Sequence, residues 1–399
     1  MVTQPSPRFA PALPWLFFLM IVVFFGIMPR LLLAPLLLRI SDDLGITYDR
    51  ASLFFLTASL GYVLGLFTSG FVAQRLTHRW TISASVLLAS VSLVVLSFVQ
   101  TIALFHFLVF VGGWANGIYP GSGIAAVTML APDAHRGKAL AVHECGPNLA
   151  FILAPIIAAA LAPLGGWRLV LQVIGIGGIA AAALFTLFGR ASRDRGQPPS
   201  FKNIAELARN RSFWVLSALF VVVFTAAAGV YAVLPTYLVV EHGLSERFVN
   251  YLVGASRIAG FAAILSAGTL NDRFGFRSVV TVILLVTGSV TILLGVARGS
   301  FLVVSVFLQP LVVGAYFPVG LNALSSVTAP ERRNLAVALA IPLANIVGVG
   351  TAPPLLTAAG ARGLFSLSFV ILGAIVLASI ALLPLMGREG RTANRDSSA

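Results

Sequence analysis

The chain has 399 residues, of which 58% are hydrophobic and only 10% charged, and its mean hydropathy is +0.98. A soluble domain covers itself with charged and polar groups, so this composition excludes one. The net charge of +13 would suit a nucleic-acid binder, but the positive residues lie mostly in short loops between apolar runs, where they read as topology signals.

Apolar runs of about 20 residues recur from Pro14 to Met386, each long enough to cross a roughly 30 Å hydrocarbon core. The first, from Trp15 to Leu38, lacks the small-residue cleavage site of a signal peptide. The pattern predicts an all-α integral membrane protein with twelve spans. Six fall at roughly 14–38, 50–74, 80–99, 102–130, 138–163 and 167–189. The other six fall at roughly 212–239, 247–270, 277–297, 300–328, 334–358 and 362–386. This divides the chain into an N-terminal bundle at 1–189, a polar connector at 190–211, a C-terminal bundle at 212–386 and a polar tail at 387–399.

Of the 26 Lys and Arg, eighteen fall on the side of both termini, six on the other, and Arg30 and Arg257 inside spans. That asymmetry predicts cytoplasmic termini in a bacterial-type inner membrane. The single cysteine, Cys145, excludes an intramolecular disulfide, and no metal-ligand spacing accompanies it.

An internal repeat is the most specific organisational signal. Gly70-Phe71-Val72-Ala73-Gln74-Arg75 recurs as Gly268-Thr269-Leu270-Asn271-Asp272-Arg273, a shift of 198. Gly45 matches Gly243 and Ala131-Pro132-Asp133 matches Ala329-Pro330-Glu331 at the same shift, while Gly117-Ile118-Tyr119 matches Gly314-Ala315-Tyr316 at 197. Two halves of the same orientation are related by an axis along the membrane normal.

These residues resemble the major facilitator superfamily along essentially the whole chain. Its loop pattern Gly-x-Leu-x-Asp-Arg-x-Gly is matched by Gly268, Leu270, Asp272, Arg273 and Gly275, followed by Arg277. The first-half copy keeps Gly70, Arg75 and Arg79 but has Gln74 for the acid and Thr77 for the second glycine. The resemblance implies that this loop latches one conformation through a charge-assisted contact, which the first-half copy lacks the acid to make. The family's fourth-helix arginine is replaced by Gly113, four residues before Gly117, and the fifth-helix drug-antiporter signature is reduced to Gly146-Pro147. Both departures lower the expectation of a multidrug exporter.

Ionisable side chains inside a membrane are expensive and usually functional. At the repeat shift, Arg30 faces Ala228 and Arg257 faces Ser59, so neither arginine is needed by the scaffold in both halves. A guanidinium offers a planar fork for carboxylate, phosphate or sulfonate; its bland use is to pair with backbone carbonyls or snorkel to an interface. An arginine in the eighth span also resembles monocarboxylate and oxalate/formate porters. Glu144 is the only acid expected inside a span, with His143 beside it, and the two are the candidates for carrying a proton. Stapling helices through a loop arginine is the alternative for Glu144. Adjacent helical residues point about 100° apart, so His143, Glu144 and Cys145 do not make a nucleophilic triad on one face.

Tyr119 and Tyr316 are repeat mates in the fourth and tenth spans, which line the central cavity in the resembled fold. With Tyr231, Asn148, Asn345, Gln309 and Asn322 they complete the expected substrate-binding set. For the amides, interhelical hydrogen bonding is the commoner use. Gly112–Gly123 and Gly348–Pro354 allow close helix approach and bending.

Two embedded arginines against one acid leave a positive balance that attracts anions. The leading expectation is a monomeric secondary transporter of a small organic anion, needing no cofactor, with proton symport ahead of anion exchange. Efflux of a cationic drug would call for deep acids, which are not seen. A non-transporting sensor on the same scaffold would call for an appended domain, and only a short connector and tail are present. An enzyme is disfavoured because no nucleophile motif, metal spacing or Gly-rich phosphate loop occurs.

Overall fold

The computed structural model describes residues 9–191, 194–196, 207, 209–326 and 333–386. Most of the connector, the tail from 387 and the Ala329-Pro330-Glu331 repeat element lie outside the described residues.

Every regular element among the described residues is helical, as a lipid environment requires of a chain that must satisfy its backbone internally. Helix α1 runs Leu13–Leu31 and continues as Leu33–Asp43. Helices α2 (53–76) and α3 (78–96) form one run broken only at Thr77. Helix α4 is Ile102–Leu130, and α5 (136–164) and α6 (167–188) are separated by Gly165 and Gly166. Helix α7 is Arg211–Phe224, a π-helical turn Thr225–Gly229, and Val230–Val240. Helices α8 and α9 are Glu246–Phe274 and Phe276–Val296, and α10 is Gly299–Val313 with Tyr316–Ser326. Helix α11 is Arg333–Ala344, a second π segment Asn345–Thr351, and Ala352–Gly360. Helix α12 is Phe365–Ala378 with the 3₁₀ end Ser379–Leu385.

Among the described residues nine stretches are long and apolar enough to cross a membrane, and two of these are the α2–α3 and α5–α6 runs, so of the twelve helices described α8 alone is not among them. Large apolar side chains stay on the outside, with Leu164 76% and Phe301 74% exposed. Such a surface suits lipid and not water.

Two compact units divide the chain: 1–40 with 57–199, and 41–56 with 200–399. In the first, Leu16, Leu19 and Val22 of α1 pack with Val86, Tyr119, Ala126 and Phe185. In the second, Leu216, Leu219 and Phe220 of α7 pack with Leu284, Tyr316, Ala340 and Val376. The segment Ser41–Leu56, between α1 and α2 in the sequence, belongs to the second unit. There Thr357 Oγ1 donates to Ser52 Oγ at 2.7 Å and Tyr48 stacks on Phe365 at 6.0 Å.

Lipid tails are as apolar as leucine, so helices associate through close packing more than through burial. The same three crossings recur in each unit, each at a glycine where a methyl group would strike the neighbouring helix. They are α1 with α5 at Gly146 and α7 with α11 at Gly229 and Gly348, then α3 with α6 at Gly175 and α9 with α12 at Gly288 and Gly373. The third pair is α2 with α4 at Gly61, Gly65, Gly113 and Gly117, and α8 with α10 at Gly260.

The turn between the second and third helix of each unit shows what the repeat preserves. Gly275 has φ 79° and ψ 155°, and its repeat mate Thr77 takes φ 69° and ψ 161°. That region is almost glycine-only and costs a side chain on the order of 1–3 kcal/mol. Surrounding bonds hold it: Thr81 Oγ1 donates to the Thr77 carbonyl at 2.7 Å, and the His78 N–H donates to the Asp194 carbonyl at 3.3 Å. The basic residue two positions on does the same work in both units. Arg79 donates to the Thr186 carbonyl at the end of α6, and Arg277 to the Met386 carbonyl beyond α12, each at 2.8 Å. Both guanidiniums sit where a helix C-terminus favours positive charge. Thr77→Gly is expected to raise stability by about 1–2 kcal/mol, measured by thermal or denaturant unfolding of the purified protein; Gly275→Thr should lower it comparably.

Candidate functional site

Each unit holds one arginine in its apolar interior, and each arginine lies over a tyrosine. In the first, the Arg30 Cζ of α1 sits 4.2 Å from the centre of the Tyr62 ring of α2. In the second, the Arg257 Cζ of α8 sits 4.8 Å from the Tyr231 ring of α7. A cation over an aromatic face gains about 0.5–2 kcal/mol, the more so when water is excluded. Stacking through the face leaves the in-plane N–H edge of the fork directed at other acceptors. Tyr231 is 2% exposed, and both arginines are half-buried.

The two pairs are related by the repeat in an exchanged form. Tyr62 lies three residues after Ser59, the mate of Arg257, and Tyr231 three residues after Ala228, the mate of Arg30. Three residues is nearly one helical turn, so the side chains stay on the same face. Arginine and tyrosine have thus swapped helices between units. Tyr62 was not legible as a site residue, because its own mate at the fixed shift is Gly260. The backbone also breaks at equivalent places. The π turn Thr225–Gly229 in α7 corresponds at that shift to residues 27–31 of α1, which hold Pro29. Both irregularities interrupt the helical ladder beside an arginine–tyrosine pair.

A small pocket of about 20 Å³ beside Arg30 is lined by Pro29, Ala58, Ser92, Gly112 and Gly113, room for roughly one water and for no organic ligand. Gly113 holds the place of the family's fourth-helix arginine. A methyl there would meet the Ala58 carbonyl of α2, so the close α2–α4 crossing excludes any side chain at that position.

Across α4 and α5 of the first unit runs a chain of three polar side chains. The Tyr119 hydroxyl and His143 Nε2 are 2.9 Å apart, and His143 Nδ1 lies 3.2 Å from Glu144 Oε1. The tyrosine and histidine rings are nearly parallel, with centroids 5.9 Å apart and planes at 9°. His143 is buried, whereas the Glu144 side chain is 60% exposed. Consecutive helical residues diverge by about 100°, but these two side chains are long enough to turn back on each other. Cys145 takes no part; its thiol donates to the Ala141 carbonyl at 3.3 Å. Glu144 is also near enough to act electrostatically on Tyr62, which places the one acid of this set in the neighbourhood of the Arg30 pair.

The remaining expected residues are dispersed. Tyr316 is fully buried against Phe220, rings 5.2 Å apart, and its hydroxyl finds no hydrogen-bond partner among the described residues. Gln309 is 1% exposed and donates its amide to the Ala226 carbonyl in the π turn of α7. Asn345 is buried at the start of the π segment in α11. Asn148 donates to the Glu144 carbonyl of its own helix at 2.8 Å, and Asn322 is exposed on α10. Of the loop residues, Gly70 is in α2 and Gly268 in α8, while Arg75, Asp272 and Arg273 are exposed. Asp272 makes no ion pair among the described residues, and Arg79 and Arg277 carry the side-chain contacts from this loop to the last helix of each unit.

The two mated tyrosines make an internal comparison. Each ring folds over a glycine four residues on, Gly123 or Gly320, where a methyl would collide with it. Among the described residues Tyr119 has a hydrogen-bond partner for its hydroxyl and Tyr316 has none, and the position mated to His143 is Ile341. Tyr316→Phe is therefore expected to leave stability unchanged or raise it by up to about 1 kcal/mol, and Tyr119→Phe to lower it by about 1 kcal/mol, compared by thermal unfolding of the two purified variants.

A family model described as the Major Facilitator Superfamily matches residues 19–267 and 240–398. Among solved structures, a bacterial homologue of the human lysosomal transporter Spinster, inward-facing and occupied, is similar at TM-score 0.78 with 16% identity, covering 96% of this chain and 98% of that one. The peptide transporter POT in complex with sulfate is similar at TM-score 0.78 with 15% identity, covering 98% and 97%. A D-xylose–proton symporter is similar at TM-score 0.75 with 15% identity, covering 96% and 99%. At such identities the likeness concerns the fold.

Proposed function

The chain belongs to the major facilitator superfamily of integral membrane transporters, and we propose that its cargo is a small organic anion, carboxylate-like in charge and size, moved by alternating access. The observation that carries this reading is the half-buried arginine stacked on a tyrosine in each unit. A charge kept inside an apolar bundle is costly, and a guanidinium braced by a ring is suited to a planar anion. Within each unit the tyrosine braces the guanidinium, Tyr62 for Arg30 and Tyr231 for Arg257, and the N–H edge is the part of each arginine suited to a carboxylate.

Proton coupling belongs to Glu144 and His143. Glu144 combines an exposed carboxylate with a hydrogen bond to a buried imidazole, and it lies near enough to Tyr62 to act on it electrostatically. Protonation removes a negative charge that would oppose an incoming anion. The Lys and Arg distribution supports an inner-membrane protein with both termini cytoplasmic.

Uptake into proteoliposomes is measured across a panel of carboxylates, phosphates and sulfonates, with and without an inward proton gradient. At least one carboxylate is expected to accumulate when the gradient is imposed. Arg257→Ala and Arg30→Ala are each expected to reduce its uptake about 10- to 100-fold, the worth of a charge-assisted hydrogen bond. Lysine at either position should restore only part. Accumulation driven by an internal counter-anion and indifferent to the proton gradient would assign exchange. Transport of only neutral or cationic solutes, unaffected by Arg257→Ala, would refute the anion reading.

A further inference from the structure

We propose that Tyr119 is a positioning residue of the proton-coupling group, locking His143 in the tautomer that carries its proton on Nδ1. The proposal rests on Glu144 and His143 being the coupling groups and adds the residue that orients them. An ionised Glu144 only accepts, so a neutral His143 keeps its hydrogen on Nδ1 beside it, and the 2.9 Å contact on the far side of the ring has the Tyr119 hydroxyl donating and Nε2 accepting. A neutral imidazole that accepts at Nε2 must carry its hydrogen on Nδ1, and that hydrogen faces Glu144 Oε1 at 3.2 Å. The ring cannot flip to reverse these roles without losing both bonds. Tyr119 is itself immobilised: it is 4% exposed and its ring lies over Gly123, where any side chain would displace it.

The consequence is directional. Glu144, at the exposed end, receives a fixed hydrogen bond in its ionised form; when it takes up a proton that bond weakens, and the change is felt at a buried imidazole and a buried phenol. Other charged or titratable groups on the described elements around α5 include Arg30 on α1, with Arg39, Asp42 and Asp43 in its continuation, Tyr62 and Arg75 on α2, His106 on α4, and Asp133 and His135 in the turn before α5; Asp133 pairs with Arg136 at 2.8 Å, and His135 packs on Phe9. On α5 itself lie Arg136, Lys138 and Cys145. In the second unit the position mated to His143 is Ile341, and the matching tyrosine's hydroxyl has no hydrogen-bond partner among the described residues, so the arrangement is not a requirement of the scaffold.

The test is nitrogen NMR of the full chain in nanodiscs with labelled histidine, the His143 signals being those lost in His143→Gln. The expected result is an Nδ1-protonated imidazole at neutral pH in the unmodified protein, loss of that single-tautomer signature in Tyr119→Phe, and its retention in Tyr316→Phe. Phenylalanine keeps the ring and its packing, and Tyr316→Phe removes the same atom from the mated position, so a general loosening of the fold would register in both. A His143 protonated on Nε2, or a signature unchanged by Tyr119→Phe, overturns the proposal. The readout needs no substrate. If the tautomer is as stated and uptake in proteoliposomes is indifferent to a proton gradient, the coupling reading fails while the positioning role stands.

Discussion

Keeping a guanidinium inside an apolar bundle constrains everything around it. Removing the charge from water costs several kcal/mol. Each arginine lies against the face of a tyrosine on the adjacent helix. An aromatic face holds a guanidinium without cancelling its charge, which suits a group that must receive and release a negative charge.

The helix packing serves the same end. Because α2 and α4 touch backbone to backbone through Gly61, Gly65, Gly113 and Gly117, Tyr62 is held at a defined depth beneath Arg30. In the second unit the paired π segments of α7 and α11 meet at Gly229 and Gly348, and Gln309 bonds the π turn just before Tyr231. A proline in one unit and a π turn in the other interrupt the same stretch of helix. Two different backbone defects therefore flank two versions of one side-chain pair.

Much of the architecture was legible in the sequence because lipid imposes a long, unmistakable hydrophobic signal and because the halves repeat. In the sequence Thr77 stands only as a departure from the glycine at 275, yet the threonine adopts the glycine's backbone. The site was less legible. A comparison at a fixed shift detects residues that stay in place, so it found Tyr119 and Tyr316, and flagged Arg30 and Arg257 as unmatched. It could not find Tyr62, whose relation to Tyr231 exchanges helices and slides by a turn. Nor does helical geometry alone predict that His143 bends toward its own neighbour Glu144, since that depends on Tyr119 holding the far side of the ring.

Binding measured by thermal unfolding tests the central claim, that the stacked arginines receive an organic anion, most directly, because a ligand that binds only the folded protein stabilises it by about 2.7 kcal/mol at a hundred times its dissociation constant. Purified protein and its Arg257→Gln and Arg30→Gln variants are compared across carboxylates, phosphates, sulfonates and matched neutral and cationic solutes. A saturable rise in melting temperature with a carboxylate, lost in both variants, is the predicted result. A rise confined to neutral or cationic solutes, and retained when either arginine is replaced, would contradict the account.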